Sequence, residues 1–400
     1  MTKIDSDYNN RRTYRRTVVL IPGFDPRGAS HYHKMLGKQF EAYGKREGLE
    51  IDISPRKRWR QHWHRWAVTM KTCRTSFFYA EWDDLVRKGW HRSRLHLFID
   101  SCRTYMRYLS SFYLLRCSIS TSYSQIAFYY PLVSFLLLYA LLMTGMGIAG
   151  WHVAKFYGMT IMGATVSAFA GMLAAIPIAH AFSPLLKGGW LLRIFCFTKK
   201  IGCEGMPEWE ERAPVLANEL AQQIHEDPPD ELLIVGHSVG ATMAIVFLEE
   251  LLRIGSYSGK VSYLSMGQCV QLVSFLQDDE GKFNQAMRKV AENPRVEWVD
   301  FTMPSDGACI ALQDPVRASL RNPPTYPKSD LPKFLSPRFM EGYSKQSFKR
   351  IKRDRFEYHF QYYRTSEKTA DFEFAAIVLG NKTLAERFAH RKNQARNRPR

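Results

Sequence analysis

The sequence predicts an α/β fold, a mostly parallel sheet flanked by helices, into which a two-helix transmembrane hairpin is inserted. Three observations carry this expectation. Short apolar runs at Thr17–Ile21 and Leu232–Val235 have the length and the lack of alternation of strands buried on both faces. Between such runs, apolar residues recur at helical spacing, the order of elements that builds a parallel sheet. Finally, no charged residue falls between Arg116 and Lys155, nor between Phe156 and Leu186. Each stretch exceeds the about 18–20 apolar residues that cross a hydrocarbon core.

Taken in order, the first dozen residues are polar and expected to be loose, and with no apolar h-region they predict no cleaved secretory signal. Thr17–Ile21 is the first strand, followed by the turn Pro22-Gly23-Phe24-Asp25-Pro26-Arg27-Gly28. Tyr32, Met35, Leu36, Phe40 and Tyr43 mark one face of a helix that ends near Gly44 or Gly48, and Leu49–Ile53 reads as the next strand of a βαβ unit. Composition shifts at Pro55. Arg56, Lys57, Arg58, Arg60, Arg65, Lys71 and Arg74 alternate with Trp59, Trp63 and Trp66, a mixture that suits a bilayer interface or a nucleic acid. His62 and His64 lack a spaced partner and read as solvated side chains rather than metal ligands. Leu95–Leu115 has the pattern of an interfacial amphipathic helix.

The spans are expected at about 126–150 and 158–182, with Trp151–Lys155 as a tight hairpin between them. Gly158, Gly163, Ala164, Ala168, Ala170 and Gly171 supply the small residues that let membrane helices approach, and Pro131 and Pro177 fall inside the spans. Arg92, Arg94, Arg103, Arg107 and Arg116 precede the pair and Lys187, Arg193, Lys199 and Lys200 follow it, whereas the linker carries only Lys155. The positive-inside rule then keeps both flanks on the cytoplasmic side. The seven cysteines are scattered, with no C-x-x-C pair, which agrees with a reducing compartment and argues against a disulfide framework or zinc site. The formal charge of +18 calls for an anionic neighbour, lipid headgroups or nucleic acid.

Beyond Gly205, Glu208–Ile224 is an amphipathic helix, Leu232–Val235 and Val261–Met266 are strands, a helix runs through 272–290, and Val296–Phe301 is a further strand. Pro323, Pro324, Pro327, Pro332 and Pro337 mark an irregular segment. Arg387–Arg400 holds six Lys or Arg and no acidic residue, the composition of a disordered basic tail. The predicted organisation is therefore a first core part at 1–54, an inserted basic and aromatic region with the two spans at 55–204, a second core part at 205–385, and a tail at 386–400.

Gly236-His237-Ser238-Val239-Gly240 lies between the strand Leu232–Val235 and a helix marked by Ala244, Ile245, Leu248, Leu251 and Leu252, with Gly255 as its stop. A serine at such a bend sits in a strained turn that tolerates no bulk two positions to either side, and the turn is expected to lift the hydroxyl clear of the sheet edge. The following helix presents N–H groups to developing negative charge. In this run the chain resembles the α/β-hydrolase superfamily, in particular its lipase and esterase branches, over roughly 17–53 and 205–306. The resemblance implies a nucleophilic Ser238 with an oxyanion hole from the backbone N–H groups of Val239 and Phe24; Pro22-Gly23 stands where many lipases have His-Gly.

Serine needs a base to take its proton and a carboxylate to orient that base. The superfamily order is Ser, acid, His. Asp306, just past the strand Val296–Phe301, is the favoured acid, with Asp300 and then Asp314 behind it. Of the downstream histidines, His359 lies in an aromatic setting and His390 in the basic tail, so His359 is the expected base; His237, beside the serine, is expected to support the turn or line the site. The expectation is a membrane-anchored serine hydrolase acting on a lipid or fatty-acyl ester or thioester, with no metal or organic cofactor and membrane lipids as neighbours. An acyltransferase on the same residues, a non-catalytic membrane scaffold and a basic nucleic-acid binder are its rivals; nucleic acid is not the expected partner.

Overall fold

In the computed structural model, described over residues 13–111, 122–255, 257, 259–326 and 332–394, nine strands form one mixed, mostly parallel sheet. Its strands are β1 (Tyr14–Ile21), β2 (Asp52–Ile53), β3 (Lys57–Arg60), β4 (Trp63–Thr69), β5 (Cys73–Ala80), β6 (Glu231–His237), β7 (Val261–Met266), β8 (Val296–Phe301) and β9 (Lys333–Leu335). The order is β2-β4-β5-β1-β6-β7-β8-β9, with β3 also paired to β4. From β5 to β9 every pairing is parallel; β2, β3 and β4 add antiparallel pairings at one edge.

The helix α1 (Gly28–Glu47) buries Tyr32, Met35, Leu36 and Phe40 and closes on Gly48 in the left-handed conformation, φ 65°. The strand after it is corrected. β2 is two residues long and pairs antiparallel with β4, so it does not complete a βαβ unit; the parallel neighbour of β1 is β5. The basic, tryptophan-rich run after Pro55 is likewise not inserted material but three strands of the sheet. Trp63 and Trp66 are wholly or almost wholly buried, Trp63 edge-on to Phe78 and Phe247, Trp66 stacked on Phe77. Three residues apart, the two tryptophans fall on opposite faces of β4 and pack there, while Arg65 shares the face of Trp63 and lies over the Phe78 ring.

Two compact units emerge. The first comprises residues 1–90, 108–124 and 198–400; the second, 91–107 and 125–197. In the first, Arg16 is buried and its guanidinium donates to Glu231 Oε2 at 2.6 Å, to the carbonyls of Gly380 and Lys382 at 2.6 Å and to that of Val378 at 3.0 Å. Glu231 also accepts from Ser262 Oγ and the Leu384 N–H. A buried ion pair satisfied this fully fixes position more than it adds stability, and this one ties β1, β6 and β7 to the end of the chain. The expected basic tail is corrected accordingly: Leu384–Phe388 is helical, Phe388 is buried, Arg391 is nearly so, and the Gln394 N–H bonds the Phe334 carbonyl. Residues 395–400 lie outside the described ones.

The second unit holds most of α3 (Arg94–Ser110) and two long apolar helices, α4 (Ser122–Phe156) and α5 (Ile161–Phe182). Both are long and apolar enough to cross a membrane, and only 6% and 11% of their most apolar stretches are buried. Core helices of a soluble domain would hide these faces; here Leu141, Ile161, Met162 and Phe169 are exposed. The expected hairpin at 151–155 is helical, and the turn falls at 157–160. The helices touch through small residues: a Cβ on Gly171 would lie 2.3 Å from the Met146 carbonyl, and one on Gly150 2.5 Å from that of Ser167.

Of the helices expected after Gly205 two stand as read and one is divided, while Asp83–Gly89 (α2), Gly189–Glu204 (α6), Lys345–Ile351 (α11), Arg355–His359 (α12) and Phe374–Leu379 (α13) have no counterpart in the sequence reading. Pro207–Glu226 (α7) and Gly240–Ile254 (α8) stand where expected. The helix expected through 272–290 is two, α9 (Gln271–Ser274) and α10 (Lys282–Glu292). The proline-rich segment contains β9; Pro327 lies outside the described residues.

Candidate functional site

β6 ends at His237 and the next residue turns the chain into α8. Ser238 has φ 54°, a left-handed conformation that costs a non-glycine residue about 1–3 kcal/mol and persists only where neighbours enforce it. Enforcement comes from two glycines. A Cβ on Gly236 would lie 2.6 Å from Ala241 Cα, and one on Gly240 2.1 Å from the Pro22 carbonyl. The Ser238 N–H donates to the Met266 carbonyl at 2.9 Å, fastening the bend to β7.

The loop after β1 closes over this bend: a Cβ on Gly23 would stand 3.0 Å from Ser238 Cβ. Phe24 follows, stacked on Trp90 at 5.3 Å, while the Asp25 carboxylate grips Arg27 Nε and Nη2 and accepts from Tyr32 Oη. Of the two residues expected to offer backbone N–H groups, Val239 follows Ser238 at the start of α8 and Phe24 follows Gly23, the residue of the β1 loop that approaches Ser238.

Asp306 and His359, 53 residues apart, meet. His359 Nδ1 lies 2.8 Å from Asp306 Oδ2. A carboxylate only accepts, so the imidazole Nδ1 carries a proton and donates it. Asp306 also accepts from Tyr362 Oη at 3.3 Å and, through Oδ1, from the Ala308 N–H at 3.0 Å. His359 ends the short helix α12 (Arg355–His359), whose N-terminus Asp354 caps. It reaches the bend through His237, whose Nε2 donates to the His359 carbonyl at 3.0 Å, the two rings lying 4.8 Å apart. Gly267, next to the carbonyl that holds Ser238, leaves room for the imidazole: a Cβ there would be 3.2 Å from His359 Cε1.

Burial, then the proximity of His359, hold His237 well below its usual value, so it stays neutral and braces the backbone. Burial and the Asp306 charge push the Cys269 thiol, beside Ser238, up to about 12, which keeps it protonated and inert as a nucleophile. Cys269 and Tyr362 belong to this cluster although nothing in the sequence pattern points to either; β7 and the run after His359 bring them in.

One expectation is corrected. Ser238 is 3% exposed, not raised clear of the sheet, because the Gly23 loop and the His359 segment close around the bend.

Asp300, the second choice of acid, lies inside β8 with its side chain on Ser265 Oγ at 2.6 Å, not on His359. Asp314 accepts from the N–H groups of Val316 and Arg317 and from Tyr326, and the exposed His390 lies 3.6 Å from Asp371. Burial pushes the Asp300 carboxyl up from 3.8 to about 7, and its Oδ2 has no partner among the described residues. Between these values the folded chain holds a proton that the unfolded chain has lost. The stabilising contribution is therefore full below about pH 4 and is lost as pH rises through 7. Asp300→Asn, which has no proton to lose, is expected to flatten that slope and to gain roughly 2 kcal/mol over the native chain at pH 8, read from thermal melting at pH 5 and pH 8.

Compared with protein-family models, with curated proteins and with solved structures, the chain finds no match.

Proposed function

We propose that this protein is a serine hydrolase of the α/β-hydrolase type, anchored in a membrane by α4 and α5, that cleaves an ester or thioester. The observation that carries the reading is the pairing of Asp306 with His359, whose ring lies 4.8 Å from that of His237, the residue that precedes a serine held at φ 54°. Ser238 Oγ attacks the substrate carbonyl as His359 Nε2 takes its proton; the imidazolium is held by Asp306, and the oxyanion by the N–H groups of Val239 and Phe24. The proton then passes to the departing alcohol or thiol, leaving an acyl-enzyme that water, activated by the same imidazole, hydrolyses. The chemistry draws on no cofactor. Anchoring within reach of lipid favours a lipid or fatty-acyl substrate, and the basic flanks of the helix pair favour a cytoplasmic catalytic unit.

A fluorophosphonate probe tests the reading. Membranes or detergent extracts containing the native chain are expected to label covalently, and Ser238→Ala is expected to abolish labelling while melting within a few degrees of the native chain. A native chain that stays unlabelled in both settings would leave a membrane scaffold with a hydrolase-like fold.

A further inference from the structure

The other end of β1 carries a second concentration of chemistry. Register places Arg15 opposite Arg74 and Thr17 opposite Ser76 across β1 and β5, while Arg65 of β4 stands opposite Phe78, two residues beyond Ser76 on the same face. Side chains at paired positions and at every second position share a face. Three guanidinium groups and two hydroxyls therefore project together, and they line a cavity of about 310 Å³ that Asp227, at the end of α7, helps to close. Arg16 points to the other face, into its pair with Glu231.

Charge there does not balance. Arg15 pairs with Asp227. Among the described residues no carboxylate lies within ion-pair distance of Arg65 or Arg74; Arg65 rests over the Phe78 ring, 5.1 Å from its centroid. Burial and then the Arg74 charge hold the Arg65 guanidinium below its ordinary value. Like charges directly across a strand pair destabilise a sheet, and here Arg15 faces Arg74 in register. The hydroxyls of Thr17 and Ser76 sit between the cations as additional donors.

We propose that this cavity binds a phosphate-type oxyanion, as a free phosphate group or as the phosphate of a lipid headgroup. Forked guanidinium donors match its oxygens and hydroxyls complete the shell, the combination that charge-assisted anion recognition uses. The site lies at the opposite end of β1 from Gly23, which touches Ser238, so it is separate from the hydrolytic centre and does not depend on that reading.

Calorimetric titration of the full-length protein in detergent, at matched chloride ionic strength, tests this with two probes, inorganic phosphate and dioctanoyl phosphatidic acid. At least one is expected to bind, with R74Q and S76A weakening it, R74Q by about tenfold or more. Removing one of two repelling cations should leave R74Q melting no lower than the native chain in phosphate-free buffer, which separates lost binding from lost folding. Phosphatidic acid binding at least about tenfold tighter than phosphate, with both weakened in R74Q, identifies a headgroup site; comparable affinities identify a free-phosphate site. Absence of binding by both probes, or binding unchanged in R74Q, overturns the proposal.

Discussion

His359→Ala is expected to lower kcat for ester cleavage by about 10⁶, and Asp306→Asn by about 10⁴. The two numbers differ for a structural reason. In the proposed mechanism the imidazole accepts the Ser238 proton, so without it nucleophile and base would fail together as a unit. Asparagine at 306 keeps the shape but turns an NH₂ toward His359 Nδ1, 2.8 Å away in the native chain, which favours the tautomer with its proton on Nε2 and removes the base. The Ala308 N–H, bound to the other oxygen, Oδ1, keeps its acceptor in the amide oxygen, and the Tyr362 hydroxyl, which shares Oδ2 with His359, can turn to accept from the NH₂, so Asp306→Asn should fold. Steady-state kcat on a short p-nitrophenyl ester, with thermal melting as the control for folding, measures both. A His359→Ala protein that keeps native kcat would remove His359 from the reaction. Asp300→Asn, whose carboxylate meets Ser265 instead, should change kcat little.

Gly240→Ala is expected to cost more than about 4 kcal/mol, enough to leave little folded protein. The added methyl would lie 2.1 Å from the Pro22 carbonyl oxygen, 2.4 Å from that of Ile21 and 2.6 Å from the Pro22 carbonyl carbon. All three are backbone atoms at the end of β1, where Leu20 pairs with Val235 and Ile21 with Gly236, so relief requires prising two central strands apart. Gly48→Ala supplies the contrast. A Cβ there meets nothing within 4 Å, and the cost is that of a left-handed alanine, about 1 kcal/mol. Yield and melting temperature of the two variants in detergent should separate widely; equal melting temperatures would show that the β1–α8 contact yields more easily than this geometry implies.

The strands legible in the sequence are those buried on both faces. β6, β7 and β8 are continuous apolar or near-apolar runs because helices cover the sheet on either side. β3, β4 and β5 lie toward one edge and intersperse arginine with tryptophan and phenylalanine, so composition alone reads as a membrane-interface segment. β9 was hidden among prolines because three residues suffice to extend an edge whose register β8 supplies. Residues 387–394 read as part of a solvated basic tail, yet they pack, because Arg391 and Phe388 meet partners more than fifty residues away.

By itself the sequence determined the strand–serine–helix bend and the two long apolar helices, since each depends on neighbours within a few positions. Only the tertiary structure decided which carboxylate meets which histidine, that Ser238 lies covered, and that Arg15, Arg65 and Arg74 share one face. Those outcomes follow from strand register and from loops closing over tens of residues, and no local pattern encodes such distances.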